Sequence, residues 1–248
     1  MIPELNKIYT GDCLEIMKGW PDKCVDMVLC DPPYGLEYNG GDDLASLWEA
    51  SLGRGENGAP RPIANDKRED WVKNLPLFLA EAGRVLNRGC CCCCCCGGGP
   101  QPIFAEMALA MDKAPLEFLQ AVVWDKCNLG MGWHYRRSYE FMMVARKGDK
   151  TPWYHLGKDQ SNVVRIPVQI PQKEDHPCKK PVELMAKFIE LHTKEGDIVL
   201  DPYCGHGPTL VAAERMGRKW IGIEINPDYV KIAEARITKE RSQLKLAL

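Results

Sequence analysis

The 248-residue chain lacks any apolar run approaching the ~20 residues that a membrane-spanning helix requires. Its first residues carry no signal-peptide pattern, and its net charge of −2 supplies no overall basic field for a polyanion. Hydrophobic residues at 45% and charged residues at 27% are ordinary for a globular protein. The composition therefore predicts a cytoplasmic globular protein in which any nucleic-acid contact comes from local basic patches.

The chain also lacks a Cys-x-x-Cys pair among its scattered cysteines, whereas seven of its 13 cysteines are consecutive, from Cys90 to Cys96. In an extended strand, same-face sulfurs would lie roughly 7 Å apart, too far for one zinc ion with bonds of ~2.3 Å. Neighbouring cysteines point to opposite faces, which disfavours disulfides within the run. Because free cysteine behaves as a small hydrophobe, the run predicts a buried, two-faced strand of a parallel sheet and no metal site.

Strand and helix signals alternate along the chain. Short apolar runs predict strands, at 7–10, 25–30, 90–96, 118–124, 139–145, 197–200 and 220–224. Amphipathic or capped segments predict helices, at 13–18, 71–86, 103–113, 181–191, 209–216 and 229–241. This alternation predicts a single α/β domain over residues 1–248 with a mainly parallel sheet.

Two segments carry no regular pattern. Residues 36–66 are glycine-rich and exceed the ~12–15 residues expected of an inert loop. They are consistent with a mobile or DNA-contacting insertion, or with a disordered surface insertion. Residues 149–175 are polar and proline-marked, as in a short connecting or target-recognition segment.

Asp31-Pro32-Pro33-Tyr34 is the most informative motif, because it follows the apolar run 25–30. Proline fixes φ, restrains the residue before it and offers no N–H. A carboxylate, carbonyl acceptors and an aromatic ring therefore stand in a stiff turn at the end of a strand. Such a turn suits a planar group that carries an amino group, such as a nucleobase.

A second motif joins a strand, a glycine turn and a helix over residues 198–210, and Glu224 ends the next predicted strand. Glycines allow close approach of a ligand to the backbone, and an acidic residue at the end of the next strand can accept from ribose hydroxyls. A dinucleotide fold prefers a third glycine where this chain has Leu210. The pattern favours a mononucleoside such as S-adenosylmethionine over NAD.

The two motifs together, Asp31 to Tyr34 and Asp201 to Gly207, resemble those of DNA amino-methyltransferases. Their order resembles the circularly permuted β group, in which the catalytic motif precedes the cofactor motif. The stretch His176-Pro177-x-x-Lys180-Pro181 and the N-terminal Gly11 to Leu14 are also typical of that group. One departure is His206-Gly207-Pro208 where the family usually has Ser-Gly-Thr, and there Thr209 is a candidate for the missing hydroxyl.

The resemblance implies a Rossmann-like S-adenosylmethionine-dependent methyltransferase domain with a mostly parallel seven-stranded sheet and an antiparallel edge. It implies methyl transfer to the exocyclic amine of a flipped base, with adenine N6 preferred because the motif begins with Asp. Cytosine N4 is the alternative. RNA or protein amide methylation, and an inactive nucleic-acid-binding module, fit the motifs less well.

The resemblance also implies residue roles. Glu224 would hold the ribose, Asp12 the adenine amine and Lys180 the carboxylate of the cofactor. The implied catalytic residues are Asp31, Pro32, Pro33 and Tyr34. The implied cofactor-binding residues are Asp12, Cys13, Asp31, Lys180, Asp201, Pro202, Tyr203, Cys204, Gly205, Gly207, Thr209, Glu224, Ile225 and Asn226. The implied DNA contacts are His134, Arg136 and Arg137.

The implied partner is double-stranded DNA in the cytoplasm of a bacterial, archaeal or phage-infected cell. The recognition region is short for the family, which favours action as a homodimer. No metal and no membrane are expected.

Overall fold

The computed structural model describes residues 2–33, 67–96, 103–129, 135–148, 159–168 and 180–246. The predicted insertion 36–66 lies outside these residues, as do Tyr34, His134 and His176. Of the predicted recognition segment 149–175, only residues 159–168 are described.

The described residues contain eight strands and six helices. The strands are β1 Lys7–Thr10, β2 Val25–Cys30, β3 Leu86–Cys96, β4 Glu117–Asp125, β5 Tyr139–Arg146, β6 Val163–Arg165, β7 Ile198–Asp201 and β8 Lys219–Glu224. The helices are α1 Cys13–Lys18, α2 Arg68–Val85, α3 Ile103–Lys113, α4 Val182–His192, α5 Pro208–Arg215 and α6 Pro227–Leu246. No helix within these ranges is long and apolar enough to cross a membrane.

All eight strands form one sheet in the order β1-β8-β7-β2-β3-β5-β4-β6. The first five run parallel, whereas β5 is antiparallel to both β3 and β4, and β6 is parallel to β4. The predicted α/β fold with a mostly parallel sheet and an antiparallel edge is confirmed. The predicted count of seven strands is wrong by one, because the three-residue β6 is too short to give a periodic signal.

The permuted order has a direct structural counterpart. β1 pairs in parallel with β8, the last strand of the chain, from Lys7 opposite Ile221 to Thr10 opposite Glu224. The backbone N–H of Gly11 also donates to the carbonyl of Glu224 at 2.9 Å. The N-terminal segment therefore continues in space from the C-terminal half, as the resemblance implied.

The cysteine run forms the centre of the core as the C-terminal part of β3. Cys92, Cys94 and Cys96 join the hydrophobic cluster that includes α2 and α3. The alternate side chains join the cluster on the other face, with α4 and α5, and they are Cys91, Cys93 and Cys95. The two-faced buried strand is confirmed, but its predicted parallel setting is only half right, because β3 pairs in parallel with β2 and antiparallel with β5.

Candidate active site

Four neighbouring parallel strands each have an acidic residue at or just beyond their C-terminal end. In sheet order these residues are Asp12 after β1, Glu224 ending β8, Asp201 ending β7 and Asp31 after β2. The C-terminal ends of parallel neighbours meet at one edge of a sheet, where open α/β folds bind ligands. The catalytic and cofactor motifs therefore lie side by side.

The loop after β2 places Asp31 against a buried lysine. Nζ of Lys180 lies 2.7 Å from Oδ2 of Asp31 and 3.2 Å from Oε2 of Glu140. The Lys180 side chain is only 8% exposed, so these ion pairs are shielded from water. Pro32 is buried and Pro33 half-buried, and neither offers a backbone N–H that would compete for an acceptor.

Glu140 is a residue of this site that sequence reasoning missed. It lies near the start of β5, whose later residues Met142 to Ala145 are buried and apolar. An acidic residue opening such a strand is the only signal that could have marked it. Lys180 was expected to approach the cofactor carboxylate, and the structure places it between two carboxylates of the protein.

Glycines shape the turn between β7 and α5. Gly205 and Gly207 have left-handed φ values of 48° and 73°, which residues with a Cβ adopt at a cost. A Cβ on Gly207 would lie 3.1 Å from Cβ of Ala233, whereas one on Gly205 would meet nothing within 4 Å. The backbone at Gly205 thus borders open space, and Pro208 occupies the first turn of α5, where its missing N–H costs nothing.

The Glu224 carboxylate is held by backbone donors at this turn. Its Oε2 accepts from the N–H of Gly205 at 2.9 Å, and its Oε1 accepts from the N–H of Asn226 at 2.8 Å. Burial raises the pKa of Glu224, and these backbone donors oppose the shift. Each carboxylate oxygen can accept more than one hydrogen bond, so Glu224 can also receive the two hydroxyls of a ribose. The neighbouring Ile225 is 42% exposed and supplies an apolar surface beside it.

Asp201 lies beneath the turn. Its side chain is only 2% exposed, and burial raises its pKa to about 7. The Thr209 hydroxyl and the Tyr203 N–H partly oppose this shift, and the negative charges of Asp31 and Glu224 add to it. Asp201 therefore organises the loop from inside, with the Tyr203 N–H donating to Oδ1 at 3.1 Å.

Most other residues of the predicted cofactor set are packing residues in this structure. Pro202, Cys204 and Thr209 are buried. Cys13 is buried beside the Tyr203 hydroxyl, and burial raises its pKa to about 11. The Tyr203 ring packs edge-on against Phe78, with centroids 5.1 Å apart. These side chains support the turn, while Asn226 stabilises the start of α6 by accepting from the N–H of Asp228 at 2.9 Å.

Asp12 has a local structural role. Its Oδ1 accepts from the N–H groups of Leu14 and Glu15 at 2.9 and 3.2 Å, which caps the N-terminus of α1. This cap holds the carboxylate next to Gly11, at the same edge of the sheet as Glu224.

The predicted DNA-contacting arginines lie at this edge as well. Arg136 and Arg137 are exposed and immediately precede β5. Because β5 is antiparallel to β3, its first residues lie at the edge where the parallel strands end. The structure thus brings the basic pair to the side of the sheet that carries Asp31.

Comparison with known proteins supports the resemblance. The DNA methylase family model matches residues 25–235. The Type II methyltransferase M2.MboI of Moraxella bovis is 26% identical over 92% of this chain and 86% of its own length. The DNA adenine methyltransferase YhdJ of Escherichia coli strain K12 is 27% identical over 94% of this chain and 83% of its own length.

Solved structures share the fold. The DNA modification methylase TTHA0409 of Thermus thermophilus, complexed with S-adenosyl-L-methionine, superposes with a TM-score of 0.68 at 21% identity, over 94% of this chain and 93% of that one. The cytosine-N4-specific PvuII DNA methyltransferase gives a TM-score of 0.70 at 18% identity, over 93% of this chain and 85% of that one. Because the family model spans most of the sequence, the chain belongs to the DNA methylase family and is an S-adenosylmethionine-dependent DNA methyltransferase.

Proposed function

We propose that this enzyme methylates the N6 amino group of adenine in double-stranded DNA, and that Asp31 accepts a hydrogen bond from that amino group. The observation that carries the proposal is the placement of Asp31 and Glu224 at one edge of the sheet, with only β7 between their strands. The adenine specificity of the relative YhdJ supports adenine as the target. The fold shared with a cytosine-N4 enzyme makes N4-methylcytosine the product that would contradict it.

The residues at the glycine turn fit S-adenosylmethionine. Glu224 is a half-buried acceptor next to open space at Gly205, and exposed Ile225 offers an apolar surface. We infer that Glu224 holds the ribose hydroxyls, that Asp12 receives the adenine amine, and that the backbone from Asp201 to Gly207 surrounds the methionine part. When bound, the cofactor supplies an electrophilic methyl group on a sulfonium.

The protein must make a poor nucleophile reactive. The lone pair of an exocyclic amine is delocalised into the base, and acceptors on both N–H groups favour its localisation on nitrogen. Asp31 and the Pro32 carbonyl are suited to this because they stand in a stiff turn, so positioning and preorganised electrostatics supply the acceleration. The base must leave the duplex to reach this turn, and we infer that Tyr34 stacks on it.

The exposed basic pair supports the assignment of the DNA-binding face. We infer that Arg136 and Arg137, with His134, contact the phosphates flanking the flipped base, since such contacts fix the position of a protein on DNA. Target recognition is assigned to 149–175 and to the insertion 36–66. Action in the cytoplasm and assembly as a homodimer are part of the same proposal, and sedimentation equilibrium would test the dimer.

The test is the variant Asp31→Ala, assayed with DNA and labelled cofactor. We expect methyl transfer to fall by about 100-fold or more, while calorimetry shows cofactor binding within a few-fold of the wild type. Digestion of the wild-type product to nucleosides and identification by mass should give N6-methyldeoxyadenosine. N4-methyldeoxycytidine would overturn the choice of base, and retained activity in Asp31→Ala would overturn the role of Asp31.

A further inference from the structure

A chain of four alternating charges leads from the catalytic turn into the antiparallel part of the sheet. Lys180 contacts Asp31 and Glu140 at 2.7 and 3.2 Å. The second oxygen of Glu140, Oε1, accepts from Nζ of Lys126 at 3.1 Å. Side-chain exposures of 8% for Lys180, 16% for Lys126 and 21% for Glu140 show that most of the chain is shielded from water.

Glu140 is the rigidly anchored member of this chain. It lies within β5, pairs with Trp124 of β4, and belongs to a strand hydrogen-bonded on both sides. Asp31, by contrast, lies in a loop, and Lys180 lies in the segment that precedes α4. A carboxylate fixed to a central strand can therefore define where the lysine ammonium sits, and the lysine in turn defines the plane of the Asp31 carboxylate.

Both neighbouring lysines keep Glu140 charged. Burial favours the neutral form, yet Lys180 and Lys126 together lower the pKa of Glu140 below its usual value. A buried ammonium held between two carboxylates shares its charge between them. Asp31 consequently keeps more of its strength as an acceptor than it would in an exclusive pair with Lys180.

We propose that Glu140 is a positioning residue for methyl transfer, acting through Lys180 to orient the Asp31 carboxylate and to maintain its acceptor strength. The proposal deepens the proposed function and rests on the role assigned there to Asp31. Loss of Glu140 would leave Lys180 with Asp31 as its remaining anionic partner of the pair, so that the lysine both moves and neutralises Asp31 more fully. A misplacement of this kind lowers kcat more than binding.

The charges around Asp31 give the proposal a distinctive signature in the pH dependence of kcat. The ionisable groups that act on or near Asp31 are Lys180, Glu140 of β5, Asp201 of β7, and the thiols of Cys95 and Cys96 of β3. Glu140→Gln removes a negative charge, so Asp31 becomes harder to protonate and the acid limb moves to lower pH. Lys180→Met removes the adjacent positive charge, so the acid limb moves to higher pH.

The experiment measures kcat, both KM values and the pH profile of the full chain for Glu140→Gln, Glu140→Asp and Lys180→Met. We expect Glu140→Gln to lower kcat about 10- to 100-fold, with KM for the cofactor within about threefold and the acid limb about 0.5 to 1 unit lower. Glu140→Asp retains the charge but reaches less far, so kcat falls while the acid limb stays in place.

The matched control is Glu117→Gln, which removes a carboxylate paired with Arg146 at the other end of the same two strands. It should leave kcat and the pH profile unchanged. Thermal unfolding of every variant separates misfolding from misplacement, and Glu140→Asp covers the case in which Glu140→Gln does not fold.

Wild-type kcat in Glu140→Gln, or a loss of kcat without a shift of its acid limb, would overturn the proposal. A shift in the same direction in Glu140→Gln and Lys180→Met would also overturn it. If Asp31→Ala is inactive while Glu140→Gln behaves as wild type, only the role of Glu140 fails. If Asp31→Ala remains active, the proposed function fails first.

Discussion

Asp201 permits a quantitative test of how the acidic edge of the sheet is built. Burial raises its pKa from 3.8 to about 7 in the folded protein. Between those two values the folded state binds one more proton than the unfolded state, so the free energy of unfolding falls as the pH rises. The fall is about 1.36 kcal/mol per pH unit, or about 4 kcal/mol over the whole interval, and it is complete once the pH exceeds 7.

The variant Asp201→Asn removes this titration while keeping an oxygen acceptor for the Tyr203 N–H. From pH 5.5 to pH 8.5 the wild type should lose about 2 kcal/mol of stability relative to the variant. Urea unfolding followed by circular dichroism, without cofactor and at both pH values, measures the two differences. Shifts from the buried thiols are common to both proteins and cancel in the comparison.

A constant difference between wild type and Asp201→Asn at the two pH values would refute the reasoning. It would mean that Asp201 stays charged in the fold, which requires water or a cation beside it. The control is Asp22→Asn, an exposed carboxylate whose pKa is lowered by hydrogen bonding to Arg84. Asp22 is ionised throughout this pH range, so its replacement should change stability equally at both pH values.

Two further predictions concern the glycine turn and the cysteine strand. Gly207→Ala should lower the free energy of unfolding by about 1–2 kcal/mol, because φ is 73° there, whereas Gly19→Ala, with φ at −79°, should not carry this backbone cost; equal losses by urea unfolding would contradict this. In the native protein a thiol reagent should label exposed Cys127 and spare Cys91 to Cys96, whose pKa values are raised by burial. Mass mapping should find the cysteine strand modified only after unfolding, and labelling without denaturant would contradict its place in the core.

The sequence predicted the parallel half of the sheet well because each of its strands carries a local signal. Short apolar runs ending at an acidic or glycine residue mark β2, β7 and β8, and the motif order predicted the pairing of β1 with β8. The cysteine strand was recognised because burial depends on hydrophobicity and spacing, both of which are local properties. The short β6 escaped because three residues contain too little periodicity.

The part of the site that could not be predicted depends on pairing between distant segments. Glu140 and Lys180 are 40 positions apart in the sequence, and nothing local indicates that their side chains meet. The expectation that Lys180 serves the cofactor came from a motif, which gives a residue type and order but no direction for a long side chain. The resemblance likewise marked Asp201 for cofactor contact, whereas the structure buries its carboxyl under the turn.

The sequence by itself determined that this protein has an α/β methylase fold, with a rigid acidic turn and a glycine turn following two of its strands. Only the tertiary structure decided that the two turns are neighbours and that a buried lysine joins Asp31 to Glu140. The physical reason is that strand formation follows from local apolar patterns, whereas an ion pair between strands depends on sheet order and register, which the packing of the whole chain sets.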